Sequence, residues 1–318
     1  MREPGPGQVR IRVEAAGVCH SDSVTVGGQW PGLTLPRVPG HEIAGVLEAV
    51  GEGVVGWKVG QRVGVGWFGG ECGHCAPCRR GDFVNCLNMV ISGVTTDGGY
   101  AEIVIAEARA LAAIPDGLSA ADAAPLLCAG VTTFNALRNA NLRSGGLVAI
   151  QGIGGLGHLA IQFARRMGFR TVAIARGREK EPLTQKLGAH HYIDSNEQDP
   201  AQALQAMGGA DAIVATAASG KSMGPLVGGL AVRGKLVVVG ASLEPIEINA
   251  IQLLAGARSI LSQFVGTAAD EEDALEFSGL QAIRPMIEVV PLEKAPEAFA
   301  RMMQNKARFR MVLEFGKK

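Results

Sequence analysis

"LVAIQGIGGLGHLAIQFARRMG", residues 147–168, decides the fold. "LVAIQ" has the apolar run of a buried strand. "GHLAIQFARRMG" puts Leu159, Ala160, Phe163 and Met167 on one helical face and ends on Gly168. Between them lies Gly152-x-Gly154-x-x-Gly157, with Gly155 and Leu156 inside the turn. Such a glycine pattern means little alone in a chain with 44 glycines. Placed between a strand and a helix it acquires a mechanism. Gly152 permits the tight turn, Gly154 lets a pyrophosphate approach the backbone, and Gly157 lets the helix pack close. The helix N-terminus then faces the negative charge.

Working outward, "TVAIA" (171–175), "DAIVATA" (211–217) and "KLVVVGA" (235–241) follow at strand–helix spacing. That predicts an α/β, Rossmann-type doubly wound parallel sheet. Val239 and Gly240, at the end of the last of these strands, are candidate cofactor contacts. Residues 8–105 read differently. "QVRIRVEAAG", "IAGVLEAVG", "QRVGVGW" and "YAEIVIA" are short strands between Gly and Pro. "SAADAAPLLCAGVTTFNALRNA" (119–140) reads as a helix capped by Ser119. Two helical stretches are expected around "PMIEVVPL" (285–292), and a short strand at "RMVLEF" (310–315). The expected division is a mostly β domain, 1–129 completed by 267–318, with a dinucleotide-binding domain, 130–266, between.

Thirty basic residues balance thirty acidic ones over 318 residues. That argues against a nucleic-acid binder, which needs a basic footprint, and against a polybasic membrane surface. No apolar run reaches the roughly 18 residues of a membrane span. "MREPGPGQVR" lacks the apolar stretch of a signal peptide. A cytoplasmic protein is expected, in which clustered cysteines point to metal rather than disulfides.

"ECGHCAPCRRGDFVNC", residues 71–86, carries Cys72, Cys75, Cys78 and Cys86. Four thiolates close a tetrahedral zinc site and leave no open position, so that zinc would fold the lobe and do no chemistry. The other two cysteines are weak signals singly. Cys19 lies in "GVCHSD", Cys128 in "PLLCAG", and His41 in "PGHE". A lone Cys is usually a small buried hydrophobe. Together the three could make a site of two thiolates and one imidazole, with a fourth position open.

In that order, "GVCHSD", "PGHE", the four-cysteine lobe, "LLCAGVT" and "GIGGLGHLAIQFARRMG" resemble the zinc-dependent alcohol dehydrogenases of the medium-chain dehydrogenase/reductase superfamily. The bacterial alcohol dehydrogenase and cinnamyl alcohol dehydrogenase branches look nearest. Two thiolates and one imidazole are the known ligand set of that family's catalytic zinc. The resemblance implies that the β-rich part is a GroES-like catalytic domain carrying the zinc lobe. It implies that Cys19, His41 and Cys128 hold a catalytic zinc, with Glu42 behind it and Asp22 orienting His41. It gives Ser21 the proton of the substrate hydroxyl. It sends His20 and Arg310 to the cofactor pyrophosphate and Thr132 near the nicotinamide. Trp30, Trp67 and Phe68 would wall the substrate pocket. The implied reaction is hydride exchange between an alcohol or carbonyl substrate and a nicotinamide cofactor, in a homo-oligomer (dimer or tetramer) with two zinc ions per chain.

Three departures stand out. The family's usual β-hairpin before "EPGPGQVRIRV" is missing. Val24 stands where many relatives place a relay histidine. Ser262-Gln263 replaces a frequent Gly-Ser, so Gln263 and Phe264 would reshape the wall beside the nicotinamide. The missing histidine keeps a second reading open, a same-fold reductase of activated C=C or imine bonds. A non-catalytic binding protein is a third. For the cofactor, NAD sites carry an acid at the end of the second strand. Here that position is Ala175, followed by Arg176, Gly177 and Arg178. An arginine fork would bind a 2′-phosphate, so NADP(H) is expected over NAD(H). Glu179 and Glu181 are close enough for another loop path to offer one of them to the ribose.

Overall fold

The computed structural model describes residues 3–316, and its contacts divide the chain into two compact units. Unit 1 comprises residues 1–131 and 265–318; unit 2 is Thr132–Phe264.

The first stretch of unit 1 supplies β1 (Gln8–Val18), β2 (Ile43–Val50), β3 (Arg62–Val65), β4 (Phe68–Gly70), β5 (Val90–Ile91), β6 (Ile103–Glu107) and β7 (Ala112–Ala113). β1 alternates because one face is buried, with Val9, Ile11 and Val13 inward and arginines between them. β4 and β5 form a separate two-stranded ribbon, and the four-cysteine segment is the loop between them.

Unit 2 supplies β8 (Leu147–Gln151), β9 (Arg170–Ala175), β10 (His191–Asp194), β11 (Ala210–Ala215), β12 (Leu230–Val238) and β13 (Ser259–Ser262). Their spatial order is β10-β9-β8-β11-β12-β13, every pair parallel. That is the doubly wound order of a dinucleotide-binding sheet. β8 is buried along its whole length, as a central strand covered on both faces must be.

The chain then returns to unit 1 with β14 (Ile287–Pro291) and β15 (Arg310–Glu314). The large sheet runs β14-β15-β1-β2-β3-β7, and β6 also pairs with β1. Its core gathers Val9, Ile11, Ile43, Leu47, Val63, Val65, Met311 and Leu313. The segment "PMIEVVPL" thus holds a strand between helices Ala268–Leu280 and Ala295–Met303. The expected helix from Ser119 is interrupted. Ser119 caps Ala120–Pro125 by accepting the Asp122 N–H, but Leu126–Gly130 is a π turn before Val131–Arg138. Among the described residues no helix is long and apolar enough to cross a membrane.

Candidate active site and metal centres

β1 delivers Cys19 at its end, and the turn His20–Asp22 follows at once. His41 and Glu42 stand just before β2, and Cys128 sits in the π turn. One donor atom from each of Cys19, His41, Glu42 and Cys128 falls within 4.8 Å of all the others. The Cys19 and Cys128 sulfurs are 3.9 Å apart, and His41 Nε2 is 3.3 Å from the Cys128 sulfur. Three of these four residues are buried, Cys128 only partly.

Asp22 organises the cluster. Its Oδ1 lies 2.8 Å from His41 Nδ1, so Nδ1 carries the proton and Nε2 is left as a ligand atom. Its Oδ2 accepts the Cys19 N–H and the Tyr100 hydroxyl, each at 2.9 Å. The hydrogen bond from Cys128 lowers the Cys19 pKa well below that of a free thiol against the cost of burial, and His41 and Arg310 assist. The same contact and burial push Cys128 up. Two sulfurs this close share a proton unless a cation lies between them. Burial disfavours a charged His41, but Asp22 and then Cys19 outweigh it and raise its pKa. Two thiols and one oriented imidazole converging in a buried place fit a zinc ion with one open position.

Glu42 lies behind this cluster, fully buried and paired with Arg310. Burial lifts its carboxyl to about 7 although Arg310 pulls the other way. Gly17 makes room for it, because a Cβ there would collide with the Glu42 carboxylate. Trp67 stands edge-on to His41, 4.9 Å between ring centres, and Trp30 edge-on to Trp67 at 6.0 Å. Val24 and Trp30 pack on the apolar cluster of Trp67, Ile91, Val94 and Val265. Phe68 is buried in the β4–β5 ribbon, paired with Ile91. Ser21 is half-buried and His20 exposed.

The four-cysteine loop closes on itself. Its sulfurs also lie within 4.8 Å of one another, with Cys75 3.4 Å from Cys78 and 3.9 Å from Cys86. Gly73 and Gly81 take positive φ at the turns. The Cys72 and Asn88 N–H groups donate to the Cys86 sulfur, at 3.3 and 3.4 Å. A backbone N–H from His74, foremost among several hydrogen bonds, lowers Cys72 to about 5. All six cysteines are free. Four sulfurs fed by backbone donors fit a tetrahedral thiolate site.

In unit 2 the glycine turn has the shape its spacing predicts. Gly152 has φ +89°, and a Cβ there would sit 2.9 Å from Thr216 Oγ1. A Cβ on Gly157 would collide with the Gly152 carbonyl, so the helix Gly157–Arg166 can pack only because that residue is glycine. Around Gly154 there is open space. Lys180 donates to the Ile153 carbonyl at 2.8 Å. β9 ends on Ala175; Arg176 is exposed, while Arg178 is held by Glu197 at 2.7 Å. The Val239 and Gly240 N–H groups both donate to the Ala215 carbonyl. Thr132 is buried, and Phe264 is 54% exposed.

The Alcohol dehydrogenase GroES-like domain matches residues 5–116, and the Zinc-binding dehydrogenase domain matches residues 155–279. Alcohol dehydrogenase patD of Penicillium expansum is 47% identical over 98% of this chain and 91% of its own.

The chain belongs to the zinc-type medium-chain alcohol dehydrogenases.

Among solved structures of the fold, a cinnamyl alcohol dehydrogenase from Sorghum bicolor superposes with TM-score 0.89. It is 33% identical, over 98% of this chain and 91% of that one. CAD from Helicobacter pylori complexed with NADP(H) has TM-score 0.84 and 27% identity over 98% and 91% of the two chains. This alcohol dehydrogenase is therefore an enzyme that interconverts alcohols with aldehydes or ketones, using zinc and a nicotinamide cofactor. The comparisons do not favour the reading as a reductase of C=C or imine bonds.

Tyr100 and Gly17 belong to the site without any signal in the sequence. Tyr100 stands in "DGGY", which carries no chemical signal, and Gly17 is one glycine among many.

Proposed function

We propose that Cys19, His41 and Cys128 hold the catalytic zinc and that Cys72, Cys75, Cys78 and Cys86 hold a second, structural one. The observation that carries this reading is the convergence of each set to within 4.8 Å, with Asp22 fixing the imidazole of the first. When bound, the catalytic zinc would supply a Lewis acid for an alcohol or carbonyl oxygen, and the nicotinamide would supply the hydride chemistry.

The residues do the rest. Asp22 keeps His41 in one tautomer. Ser21, two residues after Cys19, passes the proton of the substrate hydroxyl. Val24 has no group that could relay that proton. Glu42, paired with Arg310, modulates the charge behind the ligands; Arg310 and His20 reach for pyrophosphate. Trp30 and Trp67 form an apolar wall that keeps water from the reacting carbon, with Phe68 and Phe264 as further candidates. Gly152, Gly154, Gly155, Leu156 and Gly157 cradle the pyrophosphate, and Thr132, Val239 and Gly240 face the nicotinamide half.

NADP(H) is the preferred cofactor in this reading. Ala175 offers no acid to a ribose. Asp194, its register partner on β10, accepts the Gly177 and Asn196 N–H groups. Arg178 is engaged by Glu197, which leaves Arg176 as the main cation for a 2′-phosphate. A cytoplasmic homo-oligomer acting on a small alcohol or carbonyl completes the proposal. The half-exposed Ile260 and Leu261 on edge strand β13 favour a second copy there.

The deciding experiment measures zinc per chain together with kcat/KM for NADPH and NADH in wild type and Arg176→Ala. Two zincs and a preference for NADPH that Arg176→Ala erodes are expected. Fewer than two zincs in folded protein, or a preference for NADH, defeats the corresponding part.

A further inference from the structure

Glu271 is a carboxylate that the chemistry above does not use. It lies in the first turn of helix Ala268–Leu280, fully buried, and neither of its oxygens completes a hydrogen bond of good geometry, although the Gly66 N–H is near enough to act on it. A buried carboxyl group left so is costly unless it is protonated or partnered. Its surroundings are specific. The helix packs against the π turn Leu126–Gly130 and against β7, where Glu272 takes the Ala113 N–H at 2.8 Å. Glu271 Oε1 and the Leu127 carbonyl oxygen crowd the same spot, where a Cβ on Gly66 would stand. Gly66 precedes Trp67, the ring against His41; Leu127 precedes Cys128.

We propose that Glu271 is a positioning residue whose carboxyl group bridges the Gly66 N–H and the Leu127 carbonyl, and so fixes the spacing of Trp67 and Cys128.

The bridge needs one acceptor and one donor. A carboxylate only accepts, and beside a carbonyl oxygen it repels; the neutral acid does both jobs. Burial is the main influence on this group. The Gly66 N–H and His41 favour ionisation, Asp270 and Glu272 oppose it, and the pKa ends well above the usual carboxylate range. Glycine at 66 is then required, since any side chain would take the carboxyl group's place. The proposal rests on the reading of Cys128 as a zinc ligand, and wild-type zinc content and turnover check that reading separately.

The test uses the zinc-loaded full chain with Glu271→Gln and Glu271→Met. An amide donates and accepts as the neutral acid does, so Glu271→Gln should keep wild-type kcat/KM and wild-type zinc release to a chelator. Methionine fills the space without the bridge. Glu271→Met should keep or raise Tm, yet lose kcat/KM by about 10- to 100-fold, the usual effect of misplaced reacting groups. It should also release the catalytic zinc on the order of 10-fold faster. Wild-type turnover and zinc release in Glu271→Met overturn the proposal. So does a Glu271→Gln as impaired as Glu271→Met. Should Glu271→Met not fold, Glu271→Gln decides alone: wild-type behaviour supports the bridge, and impairment overturns it.

Discussion

Asp22 grips His41 from behind: 2.8 Å separates its Oδ1 from the ring Nδ1, while its other oxygen is spent on Cys19 and Tyr100. One carboxylate thereby fixes two of the three proposed ligands of the catalytic zinc.

Asp22→Asn should loosen both. An amide keeps the size but supplies one acceptor oxygen where the carboxylate supplies two. Zinc affinity or activity should fall by about 10- to 100-fold, the usual worth of such a partner. Competition with a chelator, followed by metal analysis, measures it. Unchanged affinity would separate the Asp22 contact from metal binding.

The two cysteine sets should fail differently. Cys19→Ser should leave a folded protein with little turnover and one zinc. Cys72→Ser should lower Tm and solubility, because among the described residues of the loop between β4 and β5 the buried apolar side chains are Cys78 and Cys86 themselves. Metal content, Tm and turnover for both variants make the comparison; a Cys72→Ser that is as stable as wild type contradicts a structural role.

Ser21→Ala should cut kcat by about 10²–10⁴, the usual contribution of positioned proton transfer. Val24→His should change the pH profile only modestly, since in the proposed mechanism Ser21 already handles the proton. A fully active Ser21→Ala would falsify the assignment of the proton to Ser21.

Gly157→Ala should weaken cofactor binding and destabilise unit 2 by about 1–3 kcal/mol, the range for forcing extra atoms into a packed place. The clash is with the Gly152 carbonyl, which is backbone and cannot swing aside. Gly154→Ala meets open space instead, so it should keep its Tm and lose chiefly cofactor affinity. Thermal melts with cofactor titrations distinguish the two.

Glu271 carries a pH signature. Its folded pKa lies above the ordinary carboxylate value of 4.5, so the folded state binds the proton more tightly than the unfolded one. Its contribution is greatest below 4.5 and declines as pH rises toward the folded pKa, then levels off. The groups that bear on it are His41, Asp270 and Glu272. Denaturant melts of wild type and Glu271→Gln should diverge as pH climbs past 4.5, with the amide variant gaining. Parallel curves across that range contradict a buried acid.

Much of this was written locally. The order strand–glycine turn–helix at 147–168 identified the nucleotide sheet, and four cysteines within sixteen residues identified the lobe, because both signals are short-range. Cys19, His41 and Cys128 were harder. They are far apart in the chain, and only their resemblance to a family pattern joined them before the structure did. What escaped was tertiary. Glu271 sits in "AADEEDA", which reads as a solvated acidic turn, and nothing in that string says that Gly66 will lie against it. "MIEVVP" is too short and too evenly half-buried to separate from its helical neighbours, yet pairing with β15 makes it a strand.

The π turn at Leu126–Gly130 has a consequence for indels. Each residue of an α-helix advances the chain by about 100° around its axis, and a π turn inserts one residue beyond that rhythm. It is a phase shift written into the helix. Deleting a neighbour of Cys128 within the five would bring the chain back into phase and change how Cys128 faces Cys19 and His41. The same deletion in an exposed loop is absorbed by slack. Library designs that shuffle lengths in this enzyme can therefore treat most connections as elastic and must treat 126–130 as a fixed count.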